Sequence, residues 1–281
     1  PAAPTTGRRR RRERLTPGAG EVHRGADRQL SPGPGRPPGS DRLWFNRPAS
    51  ASEDASDRVI PRPQPEPAPL PHYIVVEGPI GVGKTTLARR LAETFRYETL
   101  LEAPAENPFL DRFYQEGRRN ALPTQLFFLL QRAEQLRRLR QEDLFEPVRV
   151  SDFLIDKDRL FAELTLDEHE LALFAQVYDH LTIEAPVPDL VIYLQAPKPV
   201  LLERIQRRGV PAERHIDEAY LDALVEAYTR FFHFYDAAPL LIVNAAEIDL
   251  VGDDAQYDRL VEMVRTHKSA RSYFNPHPTL I

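Results

Sequence analysis

From about residue 72 onward, short apolar runs alternate with longer stretches whose apolar positions recur every three or four residues. Tyr73-Ile74-Val75-Val76 reads as a short apolar strand, and Thr86 to Phe95 as a helix with Leu87, Leu91 and Ala92 on one face. A short strand is expected at Thr99-Leu100-Leu101, a short helix over 107–116, and a long helix over 123–141 rich in Leu, Phe, Arg and Gln. Val148-Arg149-Val150-Ser151 is a third strand, 166–183 a helix, and Leu190 to Leu194 a strong buried strand. Helices follow over 199–208 and, after a polar break, about 217–234; Leu240 to Val243 is a fifth strand and 254–265 a closing helix. Strand and helix in alternation, with no internal repeat, predict an α/β domain whose parallel sheet is covered on both faces. The terminal segment Ser272-Tyr273-Phe274-Asn275-Pro276 is expected to dock back on the domain, with no role assigned to it.

Between the first strand and its helix lies Gly78-Pro79-Ile80-Gly81-Val82-Gly83-Lys84-Thr85, which fits G-x-x-x-x-G-K-[ST], a phosphate-binding loop. Glycines let backbone N–H groups turn towards phosphate oxygens, and the positive end of the following helix points at the same place. The expected nucleotide contacts therefore run from Gly78 through Pro79, Ile80, Gly81, Val82, Gly83, Lys84 and Thr85 to Thr86. Lys84 would reach the β- and γ-phosphates and Thr85 would hold Mg²⁺. The loop implies ATP or GTP without saying what is done with it.

Composition divides the chain. Residues 1–70 hold 13 of its 27 Pro and 7 of its 13 Gly, including Arg8 to Arg12 and the alternating run Pro61 to Pro69. So few large apolar residues cannot offset the entropy of ordering, and the segment is expected to be disordered, with its last stretch extended. It carries 13 Arg against 8 Asp plus Glu, a net of +5; the remainder carries 24 basic and 34 acidic residues, a net of −10. An acidic domain over 71–281 argues against a general nucleic-acid surface. The only Met is Met263, so an over-extended start, with translation beginning nearer Val59, is an alternative origin for the tail. Glu13, Glu21, Asp27 and Asp41 interrupt the arginines, against a transit peptide. There is no cysteine, no apolar run long enough to span a membrane and no zinc spacing among the eight His, so a cytoplasmic domain is expected.

Seven blocks carry a resemblance: EGPIGVGKTTLARRLA, ENPFLDRFY, LPTQLFFLLQRAEQL, SDFLIDKDRLFA, PDLVIYLQAP, LLERIQRRG and EAYTRFFHFYDAAPLLIVN. Together they resemble the deoxynucleoside kinase family, above all its bacterial deoxyadenosine, deoxyguanosine and deoxycytidine kinases, and the match extends over nearly all of 72–267. The resemblance implies a P-loop kinase fold with a five-stranded parallel sheet of order 2-3-1-4-5, a mobile lid and a homodimer. It also implies Mg²⁺ and ATP, with a deoxynucleoside as the acceptor. Position by position, Asp152 matches the carboxylate base for the nucleoside 5′-hydroxyl, and Arg132 with Asp158 the pair that reads the base edge. Gln125, seven residues before Arg132 and so on the same helix face, matches the amide that bonds the base. Tyr114 and Glu213 match the pair that holds the 3′-hydroxyl, and Arg204 and Arg208 the lid cations that close on the phosphoryl group.

Plainer readings stand beside these. Asp152 could cap the following helix, Arg132 could lie on a solvated face, Tyr114 could be core packing, and Phe128 and Phe161 could line either the base pocket or the core. Arg207 is expected on a solvated basic face. Three positions depart from the family pattern. The Arg that follows the family's carboxylate is Phe153, so another Arg must replace it or turnover falls; a lid Arg is Val210; and the Glu directly before Pro104 is Ala103, with Glu102 serving after a one-residue shift. Two alternatives remain open: a thymidylate-like monophosphate kinase, for which the basic residue beside the carboxylate is missing, and a non-catalytic nucleotide binder, favoured by Phe153 and opposed by Lys84, Thr85 and Asp152. The preferred base is left undecided, with a lean to purines.

Overall fold

The computed structural model describes residues 69–142, 148–182, 185–248 and 253–275, all within a unit that runs Pro63–Ile281. The tail reading for 1–70 lies outside the described residues except for Pro69 and Leu70. Strand β1 (Tyr73–Glu77) occupies the centre of the sheet, with Ile74, Val75 and Val76 wholly buried. An apolar run without alternation is what burial on both faces demands of a central parallel strand. β3 (Arg149–Ser151) and β4 (Leu190–Gln195) pair with it in parallel; β2 (Glu98–Leu100) lies outside β3, and β5 (Leu240–Asn244) outside β4.

The expected order 2-3-1-4-5 is present and gains a sixth member. β6 (Arg271–Phe274) pairs in parallel with β5, giving β2-β3-β1-β4-β5-β6. The Arg271 guanidinium secures it, donating to the carbonyls of Phe232, His233 and Tyr235 at the end of helix α7 (Glu218–Phe234). A cation there also answers carbonyls that the helix leaves unpaired.

Helix α1 (Lys84–Phe95) follows the phosphate loop and packs on β1 and β3 through Leu87, Ala88, Leu91 and Ala92. α6 (Lys198–Arg208), α7 and α8 (Asp254–Thr266) share the same core through Leu201, Ile205, Leu221, Leu224, Tyr228, Phe232 and Leu260. A second cluster joins α2 (Leu110–Glu116), α3 (Ala121–Glu142), α4 (Lys157–Thr165) and α5 (Glu168–Thr182) around Phe113, Leu129, Ala162, Phe174 and Tyr178.

Two element boundaries correct the expectations. The stretch 157–165, left without a helix, forms α4, and the helix expected over 166–183 begins only at Glu168. Asp167 separates the two. Its carboxylate accepts from the N–H groups of His169 and Glu170, each at 2.9 Å, while Glu170 accepts from the Asp167 N–H at 3.2 Å. This reciprocal capping box starts a new helix within an otherwise continuous helical pattern.

Candidate active site

Every strand that feeds the site ends at the same edge of the sheet, so the segments that follow β1, β2 and β3 converge there. The loop after β1 must pass close to its neighbours. A Cβ on Gly78 (φ +153°) would lie 2.5 Å from the Leu194 carbonyl oxygen. One on Gly81 (φ +82°) would lie 2.7 Å from Ile205 Cγ1. Both positions therefore require glycine for space as well as for backbone angle. The Lys84 ammonium curls back to donate to the carbonyls of Gly78 at 2.8 Å and Pro79 at 3.3 Å. Burial pushes its proton affinity down, and the nearby carboxylates of Glu77, Glu102 and Asp152 offset part of that.

The loop from Gly81 to Thr86 forms a cavity with Arg204, Arg207 and Arg208 of α6. Arg207, expected on a solvated face, is exposed but lines this cavity. Arg204 donates to the Val82 carbonyl at 3.1 Å and the Ala245 carbonyl at 2.8 Å, which ties α6 to the phosphate loop. Arg208 makes a two-point pair with Glu213, at 3.1 and 2.5 Å. That pair ties the 3-10 turn Pro211–His215 to α6 at a second cavity, which both residues line.

The second cavity shares Gly81, Lys84, Thr85 and Arg208 with the first. It brings together Glu102, Tyr114, Gln125, Arg132, Asp152, Asp158 and Glu213, with Phe128 and Phe161 on its apolar walls. These residues come from six separate segments of the chain. Asp152 follows β3 directly and is almost fully buried. It accepts from the Thr85 hydroxyl at 2.5 Å and from the Glu102 N–H at 2.7 Å. It caps no helix, because α4 begins five residues later. Burial pushes its carboxyl above the ordinary range against these hydrogen bonds.

Arg132 is held between two carboxylates. Nε donates to Glu102 at 2.9 Å, Nη2 pairs with the same oxygen, and Nη1 pairs with Asp158. Arg132 is therefore buried, not on a solvated face; its guanidinium lies 5.0 Å from the centre of the Phe128 ring. Burial alone would raise the Glu102 carboxyl, but Arg132 and Lys157 outweigh it and hold the group well below the usual carboxylate range. For Asp158 burial wins over Arg132 and Lys157 and pushes the carboxyl up to about 6. Its second oxygen, Oδ2, is buried and has no hydrogen-bond partner. Gln125 donates to the Thr165 hydroxyl at 3.4 Å, which in turn donates to the Phe161 carbonyl at 2.7 Å. Tyr114 is kept neutral by burial and by Glu213 among its neighbours.

Two charged residues of this region went unnoticed in the sequence. Glu77, at the end of β1, is wholly buried. It accepts from the Gly78 N–H at 2.9 Å, the Tyr228 hydroxyl at 2.9 Å and the Leu154 N–H at 2.7 Å, so it joins the phosphate loop to the segment after β3. Its place directly before the glycine motif was the available signal. Lys157 opens α4 and reaches Glu102 at 2.6 Å. Its only signal was a cation set between Asp156 and Asp158.

The family model described as deoxynucleoside kinase matches residues 74–269. A deoxyguanosine kinase of Bacillus subtilis (strain 168) is 35% identical over 199 residues, which span 69% of this chain and 96% of that protein. A deoxyadenosine/deoxycytidine kinase of the same organism is 27% identical, over 70% of this chain and 93% of its own length. Among solved structures, deoxyadenosine kinase from M. mycoides with bound dATP superposes with a TM-score of 0.60 at 24% identity, over 69% of this chain and 98% of that one, a likeness of fold.

Proposed function

The chain belongs to the deoxynucleoside kinase family, and from that we propose that residues 71–281 transfer the γ-phosphoryl group of ATP to the 5′-hydroxyl of a deoxynucleoside, a purine by preference. The observation that carries this is the 2.5 Å contact between Thr85 of the phosphate loop and Asp152 of the second cavity. A phosphoryl group held by the loop and a hydroxyl held in the cavity meet at that contact, which is the near-attack arrangement the reaction needs.

Each residue then has a task. Asp152 takes the proton of the 5′-hydroxyl as the oxygen attacks phosphorus. Lys84 exchanges the Gly78 and Pro79 carbonyls for phosphate oxygens. Arg208 stands beside the transferring group, and Arg204 holds the loop in shape from Val82. Tyr114 and Glu213 sit together at the sugar end, and Gln125, Arg132 and Asp158 face the base. Donors on Arg132 beside the unpartnered Asp158 Oδ2 suit an edge with acceptors next to a ring N–H, as guanine offers. The 35% identical deoxyguanosine kinase supports the same choice.

Among the described residues no group of three or more His, Cys, Asp or Glu could hold a metal ion. That fits Mg²⁺, which keeps its waters and is bound through substrate phosphates with few protein oxygens, here the Thr85 hydroxyl. When bound it would neutralise charge on the β- and γ-phosphate oxygens.

The test is ATP turnover by the full chain with each of the four deoxynucleosides, beside thymidine monophosphate. Turnover with deoxyguanosine and none with the monophosphate is expected; no response to any nucleoside would end this reading. Run from pH 8 to pH 5, the same assay should show the nucleoside KM rising below about pH 6, by roughly tenfold per pH unit at most. Above that value Asp158 is ionised and Oδ2 accepts a hydrogen bond; below it the proton removes the acceptor. A KM that stays flat to pH 5 would remove Asp158 from base recognition.

A cytoplasmic location and a homodimer belong to the same reading. Among the described residues no helix is long and apolar enough to cross a membrane. The dimer is supported by Leu130 on α3 and Leu173 on α5, exposed at 52% and 48% on two helices that pack together. Light scattering should give twice the chain mass, falling to one chain for Leu130→Glu with Leu173→Glu. A wild-type monomer would rule the dimer out.

A further inference from the structure

Lys157 has a place in the site but none of the tasks just described. Its side chain is 3% exposed, and its ammonium lies 2.6 Å from Glu102 Oε1 and 3.6 Å from Glu77 Oε2. Lysine is almost never so buried without an anionic partner. Glu77 is the lesser of the two partners, since both its oxygens already accept other hydrogen bonds. The short contact is to Glu102, whose backbone N–H in turn holds Asp152. Arg132 grips the same oxygen of Glu102 as Lys157 does, so Oε2 is bonded to neither cation. The residue directly after Asp152 is Phe153, which is wholly buried among Leu100, Leu136 and Ile155 and brings no charge to this end of the cavity.

We propose that Lys157 is a positioning residue for phosphoryl transfer: with Arg132 it clamps Glu102 so that the free carboxylate oxygen faces the 5′-hydroxyl beside Asp152, and it is the cation that position 153 does not supply. The assignment rests on the kinase reading above. It replaces the expected substitute arginine with a lysine from the start of α4. The groups that face Asp152 and Glu102 are Lys84 and Thr85 from α1, Arg132 from α3, and Lys157 and Asp158 from α4. Among them Lys157 favours the ionised forms of both carboxylates. Without it, Arg132 alone holds Glu102, and the carboxylate loses its fixed orientation beside Asp152.

The experiment uses the full chain, Lys157→Gln and Lys157→Arg. It measures kcat and KM for the best deoxynucleoside, and ADP affinity by calorimetry. For Lys157→Gln, kcat should fall about 100-fold, as for loss of one preorganised charge at a reacting centre. The nucleoside KM should change far less than kcat, as when an interaction made chiefly in the transition state is removed. ADP affinity should stay close to wild type, since the loop is untouched, and Lys157→Arg, which restores the charge, should recover most of kcat. Unchanged kcat in Lys157→Gln overturns the proposal, as does a lower kcat that arginine does not recover. If Lys157→Gln fails to fold, Lys157→Arg decides: a wild-type kcat supports the clamp, and a folded but inactive protein refutes it. A wild type that ignores every nucleoside removes the kinase reading itself, a result separate from a competent wild type matched by its glutamine variant.

Discussion

Asp152→Asn should lower kcat for deoxynucleoside phosphorylation by about 10³-fold, within the range found when a general base is lost. ADP affinity should change little. The substitution is nearly isosteric, and the retained carbonyl oxygen can still accept from the Glu102 N–H, so the backbone after β2 keeps its anchor. What goes is the anionic oxygen next to Thr85, the group that would receive the 5′-hydroxyl proton. Burial has already pushed the Asp152 carboxyl upward, which makes it a better proton acceptor than a solvated aspartate. A kcat within tenfold of wild type would show that the 5′-hydroxyl gives its proton elsewhere. The protein would then work by positioning and charge alone, the larger part of catalysis in phosphoryl transfer generally.

What could be read in the sequence depended on how local its cause was. The phosphate loop was legible because spacing, a preceding strand and a following helix all lie within some twenty residues. Of the five expected strands, β1, β4 and β5 stood out as apolar runs, since a strand buried on both faces has no polar alternation to disguise it. β6 did not, because Arg271-Ser272-Tyr273-Phe274 is only half-buried; it is a strand by virtue of β5 and of the α7 carbonyls that receive Arg271, both remote in sequence. The break at Asp167 was legible in principle as a D-x-x-E capping box, but the helical period on either side masked it. Within the site, Gln125 and Arg132 declared a shared face by their seven-residue spacing. Lys157 could not, because its meaning comes from Glu102, fifty-five positions earlier, and from the absence of charge at Phe153. Buried ion networks join residues by charge rather than by period, and no periodicity reports them.

Arg132→Met should cost both stability and substrate binding. Arg132 and Asp158 are 5% and 2% exposed, and Glu102 is 14% exposed, so removal of the guanidinium strands two carboxylates away from water. Breaking a buried pair in this way costs about 3–5 kcal/mol. For a domain of this size that is a fall of about 10 °C in the unfolding midpoint. Lys157 can still answer Glu102, so the larger share of the loss belongs to Asp158, which among the described residues makes no other ion pair. Adding Asp158→Leu to Arg132→Met should therefore recover much of the midpoint, while the nucleoside KM stays raised by about 100-fold because the base edge has lost both donor and acceptor. Recovery of KM together with the midpoint would show that the pair serves folding alone. Failure of the double variant to regain stability would place the cost on Glu102 instead. In the expected case the network that reads the base also ties α3 to α4 and to the segment after β2, so substitutions that retune base choice at 132 or 158 must remove the pair together to keep the fold.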